Sequence, residues 1–419
     1  MKQPFLKRFL FPENFKLVLS NAFAHGLNIL VSLAFTIVTA RLMTVYDFGE
    51  LRTAMLILPL VMVFSLPGYD RTILRNSHMN KAIGLLRIFT LRFCFALLGS
   101  CLILAGILIF KECLSVSLRF FLLVMVILLP FFETGTGYRN YLIGMRLRDV
   151  ALNLLLRTRL LSLLLLFVFF GLIYGMGLAP IALFPAYLLA LIIPTLIAFF
   201  PVALREKRLR GDKNKNLRAS WLSEEARQNL FSAIGMTLAG LAYTAAFSID
   251  KLWLRHELGA AALASYSILV MVPQEGSRLF DAMIPLFYRT LFFTKDKKNK
   301  GRSLAAFAIV PFVAVAYVVS FYYLSPLIFG VAYHYDFISV ALSGLLLCGI
   351  SFEFFCSHNL FAKAGSRRLL TFTVTNLIVT LPVVYGSLAL GGINGLMLGL
   401  FVKQIVVPAG FLMILRRRP

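Results

Sequence analysis

The residues of this chain that could do chemistry are ionisable groups set inside apolar segments. The densest set lies in QEGSRLFDAMIPLFYR (274–289), where Glu275, Arg278 and Asp281 are spaced by three and so share one flank of a helix. Two readings stand for it. Either the carboxylates neutralise Arg278 internally, or they hold it in place to offer its charge to an anionic group such as a phosphate. Lys403, about midway along an apolar run near the C-terminus, carries the same two readings. Charge at membrane depth is costly, which makes each such residue a candidate site. Glu133 and Glu353 could pair with these cations or, with Glu275, couple an ion. Arg92 is expected to snorkel to the membrane interface.

A second set is basic. GYDRTILR (68–75) and GYRNYLIGMRLR (137–148) place Arg71, Arg75, Arg139 and Arg146 beside tyrosines just beyond two apolar runs. They serve as topology markers, and guanidinium groups there also suit bidentate contact with phosphate. A third set is neutral. In NAFAHGLNILVSLAFTIVT (21–39), Asn21, His25, Asn28, Ser32, Thr36 and Thr39 recur at spacings of three or four, one stripe along a helix. Unpaired polar groups facing lipid tails are costly, so the stripe is expected to face protein or water. Polar residues also join helices to one another in membranes, a reading that stays open.

Enzymatic signatures are missing. There is no G-x-x-x-x-G-K-[ST] loop, no H-E-x-x-H, no G-x-S-x-G and no Cys/His cluster at ligand spacing. The five cysteines lie in or beside apolar runs and read as reduced packing residues. No cofactor or metal is expected. A membrane glycosyltransferase or polymerase is disfavoured because the outer connections are short.

These residues need a membrane scaffold to position them. Of the 419 residues 60% are hydrophobic and 14% charged, a composition that marks a polytopic membrane protein. Twelve apolar runs of spanning length extend from 17–40 to 392–414. Alternate connections hold 33 of the 42 Lys and Arg and the others hold 6, which sets both termini in the cytoplasm. The net charge of +24 is thereby explained by topology, and no nucleic-acid partner is expected. The first run is of full spanning length, without a cleavage pattern, and is expected to stay in place.

The expected fold is all-α, with six helices in 1–204, a basic cytoplasmic linker at 205–227, and six more in 228–419. Ser223 before Glu224 and Glu225 has the chemistry of a helix N-cap, starting a helix along the membrane surface. A repeat of the two halves is faintly visible. RLMTVYDFGELRTAMLI (41–57) lies without gaps over HELGAAALASYSILVMV (256–272), and GMRLRDVAL (144–152) is similar to AGSRRLLTF (364–372). Thr237, Gly240, Thr244 and Ser248 form a shorter stripe on the first helix of the second half. Paired six-helix halves are a recurrent transporter design.

Several segments together resemble one family. TARLMTVYDFGELRTAMLILPLVMVFSLPGYDRTILR (39–75) resembles the first helix pair of the Wzx-type polysaccharide flippases, with Asp47, Phe48, Gly49, Gly68 and Arg75 at the pattern's positions. SIDKLWLRHELGAAALASYSI (248–268) is similar to the family's seventh-to-eighth connection through Asp250, Gly259 and Tyr266, although Ala264 replaces a glycine. The tail 364–400 resembles its last two spans.

The resemblance implies two six-helix bundles around a central cavity in the bacterial inner membrane. The implied cargo is an undecaprenyl-diphosphate-linked oligosaccharide moved by alternating access for O-antigen, capsule or related polysaccharide assembly, with membrane lipids, a polysaccharide polymerase and a chain-length regulator as partners. Under it, Arg278, Lys403, Arg71 and Arg75 are pyrophosphate candidates. Asn21, His25, Asn28, Ser32, Thr36, Thr237 and Thr244 become candidates to line a glycan path. A small-molecule or drug exporter on the same scaffold is the alternative.

Overall fold

The computed structural model describes residues 12–78, 84–145, 147–211, 224–292 and 309–416. The described residues are helical, with no strand among them. In chain order they form α1 (Pro12–Leu42), α2 (Val45–Val61), α3 (Tyr69–His78), α4 (Leu85–Ile109), α5 (Val116–Leu128), α6 (Gly137–Gly144), α7 (Arg148–Gly175) and α8 (Leu183–Gly211). Then come the long runs α9 (Glu224–Phe292) and α11 (Phe337–Arg416), separated by α10 (Ile309–Phe329). Among the described residues eight helices are long and apolar enough to cross a membrane, and Ile29–Leu42 and Val116–Phe131 are shorter apolar helices. The protein is a multi-pass membrane protein.

Two of the eight are too long to be single spans. Arg227–Glu275 has 49 residues and Thr371–Phe411 has 41, while about 20 suffice for a hydrocarbon core of roughly 30 Å. Each contains a break. Gly259 has φ 86° and ψ 178° inside α9, and Gly392 has φ 57°. Neither angle suits a residue with a Cβ, and neither continues a right-handed helix. The gapless alignment of 41–57 with 256–272 sets Met43 and Thr44 opposite Leu258 and Gly259, and the chain leaves the helix at Met43 and Thr44 as well. The helix expected along the membrane surface before the seventh span is instead the start of α9, continuous from Glu224 to the Gly259 break. Ser223 lies outside the described residues.

By contacts the chain forms two compact units. One comprises Met1–Ile29, Thr36–Thr53 and Ala242–Pro419, and the other Leu30–Phe35 and Ala54–Leu241. In the first, Pro273 has no N–H to offer the carbonyl four residues before it. That orphaned acceptor, Leu269 O, is met by Tyr317 Oη at 2.9 Å and Ser343 Oγ at 2.8 Å. Hydrocarbon supplies no water to do the same, so two side chains must.

In the second unit, a core of Ile73, Leu85, Tyr138, Leu142, Ala151, Ala198, Phe199 and Ala203 joins α3, α4, α6, α7 and α8. Buried Glu206 accepts from the N–H groups of Gly84 and Leu85, both at 3.0 Å. A carboxylate against the first N–H groups of α4 meets both their unpaired donors and the positive end of the helix dipole.

Candidate functional site

In the second unit, five ionisable side chains gather where α2 ends and α4 begins. Past Pro59, α2 tightens into a 3-10 turn, Met62–Ser65, closed by Leu66 at φ 50°. The turn leaves the Ser65 carbonyl exposed to a donor from α4. Arg92 takes it, Nε to O 2.6 Å, and donates from Nη1 to Asp70 Oδ1 at 2.9 Å. The Thr136 hydroxyl lies 3.3 Å from the other Asp70 oxygen and 2.8 Å from the Glu133 carbonyl. Arg92 is 0% exposed, which corrects the snorkelling expected of it. A carbonyl and a carboxylate within reach hold the guanidinium inside, where desolvation would otherwise expel it.

Beside this pair stand Glu133, Arg139 and Arg159. Glu133 occupies left-handed backbone at φ 58°, costly for a residue with a side chain and common at functional sites. Tyr138 Oη lies 3.3 Å from Thr158 Oγ1, both buried, and ties α6, which carries Arg139, to α7, which carries Arg159. Both arginines are half-buried. Burial first, and then the charge of Arg159, pulls the Arg139 guanidinium below its ordinary value against the opposing pull of Tyr138 and Asp70. Arg71 and Arg75 lie on α3, with side chains outside the described residues, as does Arg146.

In the first unit, α11 brings Glu353, Asn376 and Lys403 together. Asn376 Nδ2 donates to Glu353 Oε1 at 2.6 Å, and Lys403 Nζ lies 3.7 Å from Glu353 Oε2. Their exposures are 1%, 1% and 5%. Lys403 faces a carboxylate within ion-pair distance, and Glu353 is the partner foreseen for a buried cation. Asn376 Oδ1 and Gln404 Oε1 have no hydrogen-bond donor. Glu275 is also buried, whereas the side chains of Arg278 and Asp281 lie outside the described residues.

The neutral stripe on α1 is only partly described. The side chains of Asn21, His25 and Asn28 lie outside the described residues, Ser32 is half-buried, and Thr36 and Thr39 are buried. Thr36 Oγ1 accepts from Arg52 Nη2 at 2.8 Å. Thr237 is buried and accepts from the Gly68 N–H at 3.0 Å, while Thr244 is half-buried.

The motif residues at the other helix ends have definite jobs. Thr44 Oγ1 accepts from the Asp47 N–H at 3.1 Å and donates to Asp47 Oδ2 at 2.7 Å, a reciprocal cap on α2. A Cβ on Gly49 would overlap the Ala260 carbonyl. Glu50 receives Arg255 Nη2 on both oxygens, at 3.0 and 2.9 Å. Tyr266 Oη donates to Asp250 Oδ2 at 2.8 Å across the Gly259 break, and Lys251 Nζ lies 3.3 Å from Asp250 Oδ1. An apolar groove of about 280 Å³ between Ile249, Trp253, Leu381, Pro382, Val384 and Tyr385 presents no charge.

Sequence reasoning missed Asp70, Asn376, Arg159 and the pairing of Glu50 with Arg255. Only Glu50 carried a signal, as a carboxylate entering an apolar run beside a basic residue. Among the described residues no group of three His, Cys, Asp or Glu could hold a metal ion.

No family model matches the sequence, and no curated protein matches it. Solved structures do share its fold. A multidrug resistance MATE family transporter of the MOP superfamily, in its outward-facing conformation, is 15% identical with a TM-score of 0.65 over 97% of this chain and 94% of its own. A mutant of the Vibrio cholerae MATE transporter VcmN is 14% identical with a TM-score of 0.62, covering 97% and 96%. A Pyrococcus furiosus MOP superfamily transporter, described as having a binding pocket of reversed polarity that suggests a different function, is 14% identical at TM-score 0.61, covering 97% and 95%. The chain has the MATE transporter fold.

Proposed function

We propose that this protein is a secondary transporter, not an enzyme, exporting a small organic molecule by alternating access. The observation that carries this is a fold likeness to MATE multidrug transporters spanning 97% of the chain. Twelve spans are part of the reading: the breaks at Gly259 and Gly392 divide two of the eight long helices, and the two shorter apolar helices complete the set. They form two six-helix halves, 1–204 and 228–419, joined by the basic linker 205–227, with both termini cytoplasmic in a bacterial inner membrane. Glu353, paired with Lys403 and Asn376, is the leading ion-coupling residue, with Glu133 and Glu275 behind it. Purified protein in liposomes should drive uptake of a fluorescent dye when a proton or sodium gradient is imposed. A panel of cationic, neutral and anionic dyes that all stay outside would overturn the export reading.

A second reading keeps the lipid-linked oligosaccharide flippase, with undecaprenyl-diphosphate glycan as cargo and a polymerase and chain-length regulator as partners. Its specific support is the motif set: Gly49, Asp250, Gly259 and Tyr266 each occupy a position where the structure gives that residue type a task. The Pyrococcus furiosus neighbour is a precedent for changed pocket polarity on this scaffold. A deletion strain should then accumulate lipid-linked oligosaccharide on the cytoplasmic leaflet, and normal levels there would remove this reading.

A further inference from the structure

We propose that the turn joining α1 to α2 is a reversible latch, which closes one face of the protein by holding two turns of its second half. The inference deepens the alternating-access reading above and rests on it. Three turns meet at this latch. The chain leaves the helix at Met43 and Thr44, breaks at Gly259 inside α9, and ends α10 before Gly330, where φ is 106°. In the twelve-span reading these are the first, seventh and ninth connections, all odd-numbered, so they share the face away from both termini. Their meeting in space agrees with that count. Thr36–Thr53, from the first half of the sequence, belongs to one compact unit with Ala242–Pro419.

The contacts of the latch are direct. Gly49 lies so close to Ala260 that a Cβ would overlap that residue's backbone carbonyl, and glycine is what lets the first and seventh turns touch. One residue on, Glu50 receives Arg255 Nη2 at 3.0 and 2.9 Å. Arg41 donates from Nε to Ile328 O at 2.8 Å and from Nη2 to Leu327 O. Those carbonyls belong to the last turn of α10, whose unpaired acceptors and negative dipole end suit a guanidinium. Phe48 and Tyr333, both buried, meet edge to face with ring centres 6.1 Å apart.

The same contacts are built to part. Arg41 is exposed and the Arg255 side chain is 29% exposed, so water can replace each partner, and pairs open to water are weak. The helices that carry the latch also change unit partway, α1 between Phe35 and Thr36 and α2 between Thr53 and Ala54. The latch segment therefore packs with the second half of the sequence, not with the rest of its own helices. A carrier that opens to its two sides in turn must part such contacts on one face. In this structure the latch is engaged.

The test follows the distance between two exposed residues of the latch, Tyr46 and Val331. Each would carry a nitroxide introduced through p-acetylphenylalanine, which leaves the native cysteines in place, in full-length protein held in nanodiscs. Pulsed electron paramagnetic resonance should find a short distance and a minor longer one in the wild type. Gly49→Ala should cut the short-to-long ratio about tenfold, because the overlapped atom is backbone and cannot turn aside. Glu50→Gln and Arg255→Gln should each cut it about fivefold, and Arg41→Gln about threefold, the scale of partly exposed charge contacts. His256→Gln, an exposed change in the same turn, should leave it unchanged.

A single short distance that no variant moves, even where the melting temperature falls, makes these contacts a fixed strut and overturns the latch. An equal shift in His256→Gln overturns it as well. Should the Gly49 and Glu50 variants fail to purify, Arg41→Gln changes only an exposed side chain, and a wild-type ratio there also overturns the latch. Dye transport is read separately: uptake with unmoved distances removes the latch and leaves the export reading, and moving distances without uptake remove export and leave the latch.

Discussion

Two charge clusters lie at the heart of this protein's two compact units, and they are built on opposite plans. In the second unit, Arg92 is clamped through Nε by a carbonyl and through Nη1 by Asp70, with Nη2 left without a partner, and around that anchor stand Glu133, Arg139 and Arg159 with a surplus of positive charge. In the first unit, Glu353, Asn376 and Lys403 form a neutral set in which the ion pair is held at 3.7 Å and both Glu353 Oε2 and Asn376 Oδ1 lack hydrogen-bond donors. One is a fixed anchor beside unneutralised charge. The other is balanced in charge and loose in geometry. A buried pair that is balanced and loosely held is easier to rearrange than one clamped at 2.6 and 2.9 Å, which is why the second cluster is the one we propose for ion coupling.

Removing the anchor should have the largest effect. Arg92→Met takes the partner from the buried Ser65 carbonyl and from Asp70, whose side chain is 26% exposed, a loss of roughly 3 kcal/mol. The purified variant in detergent should melt far below the wild type in a thermal scan, and a small change would mean that water reaches Asp70. The looser cluster should respond less. Glu353→Gln keeps the Asn376 contact and leaves Lys403 without a counter-charge, costing about 2 kcal/mol, whereas Glu353→Met with Lys403→Met should come back close to wild-type stability. That double variant should also lose gradient-driven transport. If it folds well and transports normally, the cluster is structural and the contrast between the two plans fails.

How far the sequence revealed these clusters follows from what each depends on. The all-helical membrane character was legible because a run of about 20 apolar residues has few other uses. The turn at Gly259 was legible because it falls opposite Thr44 in the repeat. Glu353 reads in sequence either as a partner for a buried cation or as an ion-coupling site, since a lone carboxylate in an apolar run needs one use or the other, and the structure sets Lys403 beside it. Arg92 misled, because snorkelling and burial look the same in sequence and are decided by whether Ser65 and Asp70 come within reach. Arg159 carried no signal at all: it sits two residues after Arg157, and only the helix rotation turns one inward and leaves the other exposed. Pairings such as Glu50 with Arg255 span more than two hundred residues and are fixed by packing alone.

A third ion pair tests whether dryness sets the scale. Glu50 has a side chain 2% exposed and Arg255 one 29% exposed, close to the 0% and 26% of Arg92 and Asp70. A double-mutant cycle of Glu50→Gln and Arg255→Gln, read by thermal unfolding, should give a coupling of about 1 kcal/mol. A coupling near zero would show that burying one partner of a pair is not what sets its strength.

The smallest effect should come from a carboxylate in water. Asp336 precedes α11 and accepts from the Ser339 N–H at 3.1 Å and from the Ser339 hydroxyl, whose oxygen also lies 2.7 Å from Asn394 Oδ1. The Ser339 hydrogen bond is the main reason that its carboxyl lies below the ordinary value, against a weaker opposing effect of burial. A folded value below the unfolded one means that the carboxylate's contribution is fully present above the unfolded value, near 4, and is lost as pH falls through the folded value. Asp336→Asn removes that dependence and keeps an acceptor at the cap, so it should cost only a few tenths of a kcal/mol at neutral pH. Melting curves between about pH 3 and 7 should converge for variant and wild type at the acid end. A pH response in that window that survives Asp336→Asn belongs to another carboxylate, and Glu133, which burial pushes above its ordinary value against the opposing pull of Arg92, lies outside the cap and is the first to replace.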